Sequence, residues 1–568
     1  MNSRSRLPVS RNVGAVALAV VATLALVAGC TSGKRSGDAA DAPRSGGTLR
    51  LAVAGLATYD PATVVPTDQA EMVVADLVAD GLTAIDAQTG GVVPSLAESW
   101  VADDAGTTWT FTLRAGATFS DGTALTAADV AAALTRVAAR GSATLAAARL
   151  EGISGYSDLV AGRTSALAGL VVVDERTLTI TTTSPDVELP LLLGSPVYGV
   201  MKAGAADDAT STVPTSTPGL DGRLLVGSGP FSVASDDGTT VHLVRVQGSG
   251  AELNGVDLLR VADAAAADAA VREGNADWAP LSGAAAAAAA SEATLTSTPN
   301  STASPESTGP AVTAAGEHTV VKTAPLGAEE FFGMNVTNPV LTNPVFRQAI
   351  VKGIDRAKLV AVAPAGLRAS PAIVPPGVPG AVEDPCGDPC RYDPEAAKAL
   401  VAQAFPGGGV PTVEVDTDDL APDVALANAV QASLVAIGVP TTVVVKPFAE
   451  YQRFVTTGQT QLFRTGWVGL APSAGAYLDP LFRSNSLDNL TGLASASVDT
   501  RLATARATTD DAARVSQYQA LEKDILAMSP VVPLGSYEAS VRLSARVENY
   551  VQRLDGTFDA LKVQVGSS

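Results

Sequence analysis

The chain has 568 residues, too many for one hydrophobic core, and its 46% hydrophobic content suits two or three globular domains. Its 38 basic residues against 58 acidic ones give a net charge of −20, which excludes nucleic-acid binding and a polybasic grip on anionic lipid. Two histidines in the whole chain argue against nickel or haem chelation through histidine, and leave a hydrolase only carboxylates or lysine as its base.

In chain order, the first element is an export signal. Arg4, Arg6 and Arg11 form a basic head, and Val13 to Ala28 follow as 16 uncharged residues. A helix that spans a bilayer needs about 20 apolar residues, so this run is a cleavable signal rather than an anchor. Val27-Ala28-Gly29-Cys30 resembles a bacterial lipobox, which implies cleavage after residue 29 and lipid on the Cys30 thiol. Residues 30–46 then read as a flexible tether, rich in Ser and Gly.

From Gly47 short strands and helices alternate without a repeat. Thr48 to Val53 is a strand with Leu49, Leu51 and Val53 on one face. Thr108 to Arg114 is another, with Trp109, Phe111 and Leu113 turned to a core. Thr126 with Asp129 is a capping box that opens a helix through Val130, Leu134 and Val137. Val171 to Ile180 is a hairpin around Asp174 to Arg176, and 205–221 is a polar surface loop. The alanine run 284–290 is a short helix followed by a mobile Ser/Thr/Pro-rich stretch to about residue 316.

Asn343-Pro344 and Asp393-Pro394 each place a capping side chain before a proline at the first helical position. Val443 to Val445 is an apolar strand, and 502–528 reads as helical. Cys386 and Cys390 make an even pair in an exported chain, so a local disulfide is expected, and no histidine lies near to favour a metal. No cofactor or metal site is expected anywhere.

Several stretches resemble the family 5 extracellular solute-binding proteins, the receptors of peptide- and nickel-type ABC importers. They are Pro94 to Trp100, Thr108 to Arg114, Phe119 to Val130, Val226-Gly-Ser-Gly-Pro-Phe231, Gly333 to Val336, Phe346 to Ile350 with Ile354 to Arg356, Tyr392 to Lys398, and Gly466-Trp467 through Tyr477 to Phe482. Most are scaffold: Trp100, Trp109, Phe111 and Phe119 read as core aromatics, and Gly227 and Gly229 as turn residues with unusual backbone angles.

The resemblance implies an α/β, two-lobed periplasmic-binding-protein-like fold of type II, in the large class with an additional domain. Lobe one takes 47–62, 176–332 and 530–568, the additional domain 63–175, and lobe two 333–529. It also implies a lipid-anchored receptor on the outer face of the membrane, not an enzyme. Such a receptor works as a monomer that hands a small or peptide-like ligand to a membrane permease. A sensory or docking lipoprotein of the same fold is the alternative, and a neighbouring permease gene pair would decide for transport.

The resemblance further nominates Tyr59, Asn335, Arg464, Gly466, Trp467 and Leu470 as ligand-side residues. Arg464 is suited to a carboxylate or phosphate, or equally to a salt bridge, and Trp467 to stacking. Asn335 serves equally as a backbone cap. In peptide-binding members an aspartate at the position of Leu470 pairs with the ligand's α-ammonium, so leucine here argues against free-N-terminus peptides held in that mode. Asp479, before Pro480, reads as a helix cap.

Overall fold

The computed structural model describes residues 46–56, 58–141, 144–202, 226–281, 285–286, 313–314 and 319–566. Cys30, nearly all of the 30–46 tether, the 205–221 loop, most of the alanine run and His318 lie outside the described residues.

The first strand, Thr48–Ala54, buries Leu49, Leu51 and Val53 and pairs in parallel with Gly255–Val261. Both belong to a 12-stranded sheet among the described residues. At its centre lie two long antiparallel strands, Thr319–Met334 and Val531–Ser544. At one end Thr319–Met334 pairs with Leu462–Val468, which leads on to Val413–Asp418 and Thr441–Lys446. On the other side the end of Val531–Ser544 pairs with Trp278–Leu281, which leads to Thr48–Ala54 and the outer antiparallel strands. The chain therefore crosses twice between the halves, on adjacent strands. Both crossings meet at register shifts between Pro325 and Glu329 and between Glu330 and Phe331, where a bulge bends the pair.

A separate sheet runs Ala97–Ala102, Thr108–Leu113, Thr177–Thr181, Leu170–Val172. Alternation builds it: Trp109, Phe111 and Leu113 are buried while the intervening threonines are half-buried. Phe119 is buried too, whereas Trp100 is half-buried beside Phe111. Helix Ala127–Ala138 opens on the expected Thr126/Asp129 capping box and turns Val130, Leu134 and Val137 into the same core. Because Thr177–Thr181 lies inside this sheet and the core continues through Leu189 to Val200, the boundary expected at 175 falls within one packed unit.

The half built on Leu462–Val468 has its own core, from Phe331 through Phe346, Val415 and Leu478 to Leu534. Asn343 and Asp393 cap Pro344–Gly353 and Pro394–Ala404 by accepting from Val345 and Ala396 backbone N–H groups. Cys386 and Cys390 are paired, with Cα atoms 5.5 Å apart. Lys352 and Gln348 hold their loop by donating to the carbonyls of Asp388 and Pro389.

Three local readings change. The 502–528 segment is two helices, Ala496–Ala507 and Asp511–Ala527, because Asp510 caps the second and two threonines precede it. Asp479 caps nothing: helix Gly475–Phe482 contains it, and its carboxylate pairs with Arg483 and Arg506. Gly227 and Gly229 have no left-handed backbone angle; a Cβ on either would collide with backbone at Val78 or Ala79, so close packing demands glycine there. Among the described residues no helix is long and apolar enough to cross a membrane.

Candidate functional site

Strand Leu462–Val468 carries Arg464, Gly466 and Trp467 alongside the Thr319–Met334 crossing, with Phe332, Glu330 and Glu329 as their partners. The side chain of Arg464 is turned to acids rather than to open space. Its Nε lies 2.7 Å from Glu330 Oε1 and 3.3 Å from Asp423 Oδ1, and an Nη lies 3.8 Å from Asp418 Oδ2. Tyr537 donates to Glu330 at 2.9 Å. Burial lifts the Glu330 and Asp423 carboxyls above their ordinary range despite the arginine. Of its two readings, Arg464 thus occupies a salt-bridge cluster.

Gly466 allows close approach of the strands, since a Cβ would stand 2.6 Å from the Glu329 carbonyl oxygen. Trp467 donates its indole N–H to the Ala476 carbonyl at 2.8 Å, and the Arg149 guanidinium lies 5.2 Å from its ring centroid. Asn335 is buried with its amide used up: Nδ2 donates to the Gly458 and Thr460 carbonyls, and Oδ1 accepts from Thr337. Tyr59 is held in the first half by Asp236 and Arg260, and burial pushes its phenol up to about 12.

Leu470 is different. It leaves the strand end and packs among the core residues of the 62–200 unit, although the rest of its neighbourhood belongs to the other half. A cavity opens on each side of it. The smaller, 230 Å³, is lined by Asp86, Ser195, Gln552 and Arg553 facing Leu470 and Tyr477, with Pro325 of the crossing strand between them. The larger, 360 Å³, lies among Arg149, Asp186 and Glu188 on one wall and Leu470, Asp479 and Arg483 on the other. Leu470 lines both, whereas Tyr59, Asn335, Arg464, Gly466 and Trp467 line neither. Trp467 stands one layer behind, supporting Arg149 and Ala476, which do.

The polar atoms of these walls divide into two sets. One set forms a belt of ion pairs across the gap. Arg149 pairs with Asp488, Glu151 with Arg483, Asp186 with Arg506 at 2.9 Å, and Glu188 with Arg514 at 3.3 Å. Glu188 also accepts from Ser473 and Tyr518, and the Val187 backbone N–H donates to the Arg506 carbonyl. The second set is buried without a partner inside the protein: Ser195 Oγ, both amide atoms of Gln552, Arg553 Nε and Arg149 Nε. A buried donor or acceptor left unpaired costs about 1–3 kcal/mol, so these atoms are a local cost to the fold beside the two cavities. Ser195, Gln552, Arg553 and the belt were not foreseen in the sequence. They come from loops and helices scattered between residues 149 and 553 and carry no motif. Among the described residues no group of three His, Cys, Asp or Glu side chains is arranged to hold a metal, and His242 is bonded to Asp257 outside both cavities.

A family model for bacterial extracellular solute-binding proteins, family 5 (Middle), matches residues 91–489. The glutathione-binding protein GsiB of Shigella dysenteriae is 31% identical over 217 residues, 36% of this chain. That stretch spans only 42% of the length of GsiB. Among solved structures, the clavulanic acid biosynthesis oligopeptide binding protein 2 superimposes with a TM-score of 0.74 at 23% identity, covering 92% of this chain and 96% of that one. The murein tripeptide binding protein MppA of Escherichia coli gives 0.67 at 20% identity, covering 93% and 99%. These likenesses establish the fold as the α/β, two-lobed periplasmic-binding-protein type II. With 91–489 matched, most of its length, the chain belongs to the bacterial extracellular solute-binding proteins of family 5, which bind solutes and are not enzymes.

Proposed function

We propose that the protein captures a peptide-like or other small polar solute in the cleft beside Leu470 and delivers it to an ABC importer. The observation that carries this reading is the pair of cavities beside Leu470, each lined by residues from both sides of the gap. A ligand that bridges both walls gains contacts available only when the lobes are together, which is how binding drives closure. The names of the relatives point the same way: glutathione, a murein tripeptide and oligopeptides all carry peptide amides. In this reading lobe two is 333–529, the additional domain runs from 63 to about 200, and lobe one takes the rest after the tether. Lipid on Cys30 keeps a monomeric receptor beside the permease on the outer face of the membrane.

A thermal-shift and calorimetry panel of glutathione, L-Ala-γ-D-Glu-meso-diaminopimelate, tri-alanine and agropinic acid tests the reading. At least one should raise Tm in proportion to its occupancy. If none does, and none displaces a co-purifying solute seen by mass spectrometry, the receptor reading is wrong. For the anchor, Cys30→Ser should release the protein to the medium or leave an uncleaved precursor; unchanged membrane retention of processed protein would remove the lipid.

A further inference from the structure

We infer that Glu151 is a docking carboxylate for a cationic group of the solute, an ammonium or guanidinium on a flexible stem, at the junction between the 360 Å³ cavity and a groove outside it. The inference rests on the receptor reading and says what that receptor selects.

Glu151 can be reached from two directions. It lines the 360 Å³ cavity, and with Thr183 it also lines a neighbouring groove of 450 Å³ that runs past Tyr156 and Val160. The Thr183 hydroxyl is bonded to the Gly152 carbonyl, which leaves Glu151 as the charged group common to both spaces. Its side chain is 32% exposed and that of Arg483 is 29% exposed, so solvent and solute have access to the pair. Arg483 reaches across the gap and donates to Glu151 Oε1, while Oε2 accepts no hydrogen bond among the described residues.

The balance of charge decides which guest this corner takes. Glu151 has Arg483 as its only ion pair among the described residues, whereas Arg483 also pairs with Asp479 at 2.9 Å. Asp479 is shared with Arg506, which has Asp186 as well. Arg149 has Asp488, and Arg514 has Glu188. Each arginine of the belt therefore keeps a carboxylate when Arg483 lets go of Glu151, and Glu151 is the surplus acid. A guest cation takes over Glu151 while Arg483 stays with Asp479, so the exchange leaves no charge without a counter-charge. An incoming anion does the reverse. It pairs only by taking Arg149 or Arg483 from acids that already outnumber the arginines, and those acids then repel it. A neutral guest leaves Glu151 with Arg483 and gains nothing there. On the groove side, Tyr156 and Val160 offer apolar surface to the methylene stem of a lysine- or arginine-like group.

The test uses N-acetyl-Ala-Ala-Lys-amide, its norleucine analogue, which lacks only the ammonium, and its glutamate analogue, against the full mature protein by calorimetry at low ionic strength. The lysyl peptide should bind at least about fivefold more tightly than the norleucine peptide, and the glutamyl peptide more weakly than both. The lysyl preference should shrink as salt is raised. In Glu151→Gln it should fall to within about twofold, because the surplus charge is gone. In Arg483→Met it should widen, because the competitor for Glu151 is gone. Each preference is a ratio within one variant, so a change in lobe closure that weakens all three peptides alike leaves it intact. A lysyl preference that survives Glu151→Gln, one that narrows in Arg483→Met, or tightest binding by the norleucine or glutamyl peptide would overturn the inference. If none of the three binds while glutathione or tri-alanine does, the assignment of Glu151 fails and the receptor reading stands. If nothing in either panel binds, the receptor reading fails and the inference with it.

Discussion

Arg464→Met is the perturbation that best separates a structural from a ligand-binding arginine. The guanidinium is 19% exposed and faces Glu330, Asp418 and Asp423, whose side chains are 2%, 0% and 4% exposed. Removing it leaves these acids buried without their counter-charge, a change that costs about 3–5 kcal/mol when one partner of a buried pair is lost. Glu330 and Asp423 can escape by protonation, and burial already raises both in the presence of the arginine, Asp423 to about 6. Loss of the arginine raises these values further, above those of the unfolded chain. A folded state that keeps its protons longer loses stability as pH rises through that interval and keeps it below. The variant should therefore match the native protein within about 1 kcal/mol at pH 5 and fall short by the full amount at pH 8. Urea unfolding followed by tryptophan fluorescence at both pH values measures it, with unchanged m-values as the check on compactness. An equal loss at pH 5 and pH 8, or a loss under about 1 kcal/mol at pH 8, would refute the argument. Selective loss of anionic ligands at unchanged stability would return Arg464 to the cleft.

Glu329 sits at the bulge of the crossing strand with both carboxylate oxygens buried and unpartnered, and burial beside Glu522 and Glu330 raises it well above the ordinary range. Its native stability contribution is whole below the unfolded value and declines by about 1.4 kcal/mol per pH unit above it. Glu329→Gln carries no such penalty, so its Tm advantage should be small at pH 5 and larger at pH 8; parallel profiles would contradict this. The ion-pair belt is partly exposed, each pair worth about 0.2–1 kcal/mol and open to screening. Arg483→Met with Arg506→Met should let the ligand-free lobes part, seen as a larger radius of gyration by small-angle scattering, and high salt should do the same to the native protein. A radius unmoved by either would show that the belt does not hold the lobes.

How much was legible follows from range. Thr108 to Leu113 reads correctly because alternation is a local signal, and the Thr126/Asp129 box and the Asn343-Pro344 cap are complete within four residues. Where a local pattern met a tertiary demand it misled. Asp479-Pro480 has the form of a helix start, yet helix Gly475–Phe482 begins earlier and its aspartate serves two arginines. Gly227 and Gly229 suggested a turn, but their reason is the backbone of Val78 and Ala79, some 150 residues away in the chain. The cleft was the least legible part. Of the six nominated residues only Leu470 lines it, and Ser195, Gln552 and the belt become neighbours only when segments far apart in the chain fold together.

Leu470 then decides how binding and lobe contact are linked. It is a wall of both cavities and also a member of the core of the opposing unit, so the lobes cannot part without uncovering it. Exposing most of a leucine costs about 2 kcal/mol, and the belt adds its own modest sum. The ligand-free lobes thus touch through contacts that are individually weak. A solute that touches both walls gains most with Leu470 seated, because only then are both walls within its reach. A ligand that stabilises one of two states by its differential contacts shifts the population by that difference and no more. A solute that contacts both walls therefore shifts the lobes by the part of its binding free energy that separated lobes cannot supply.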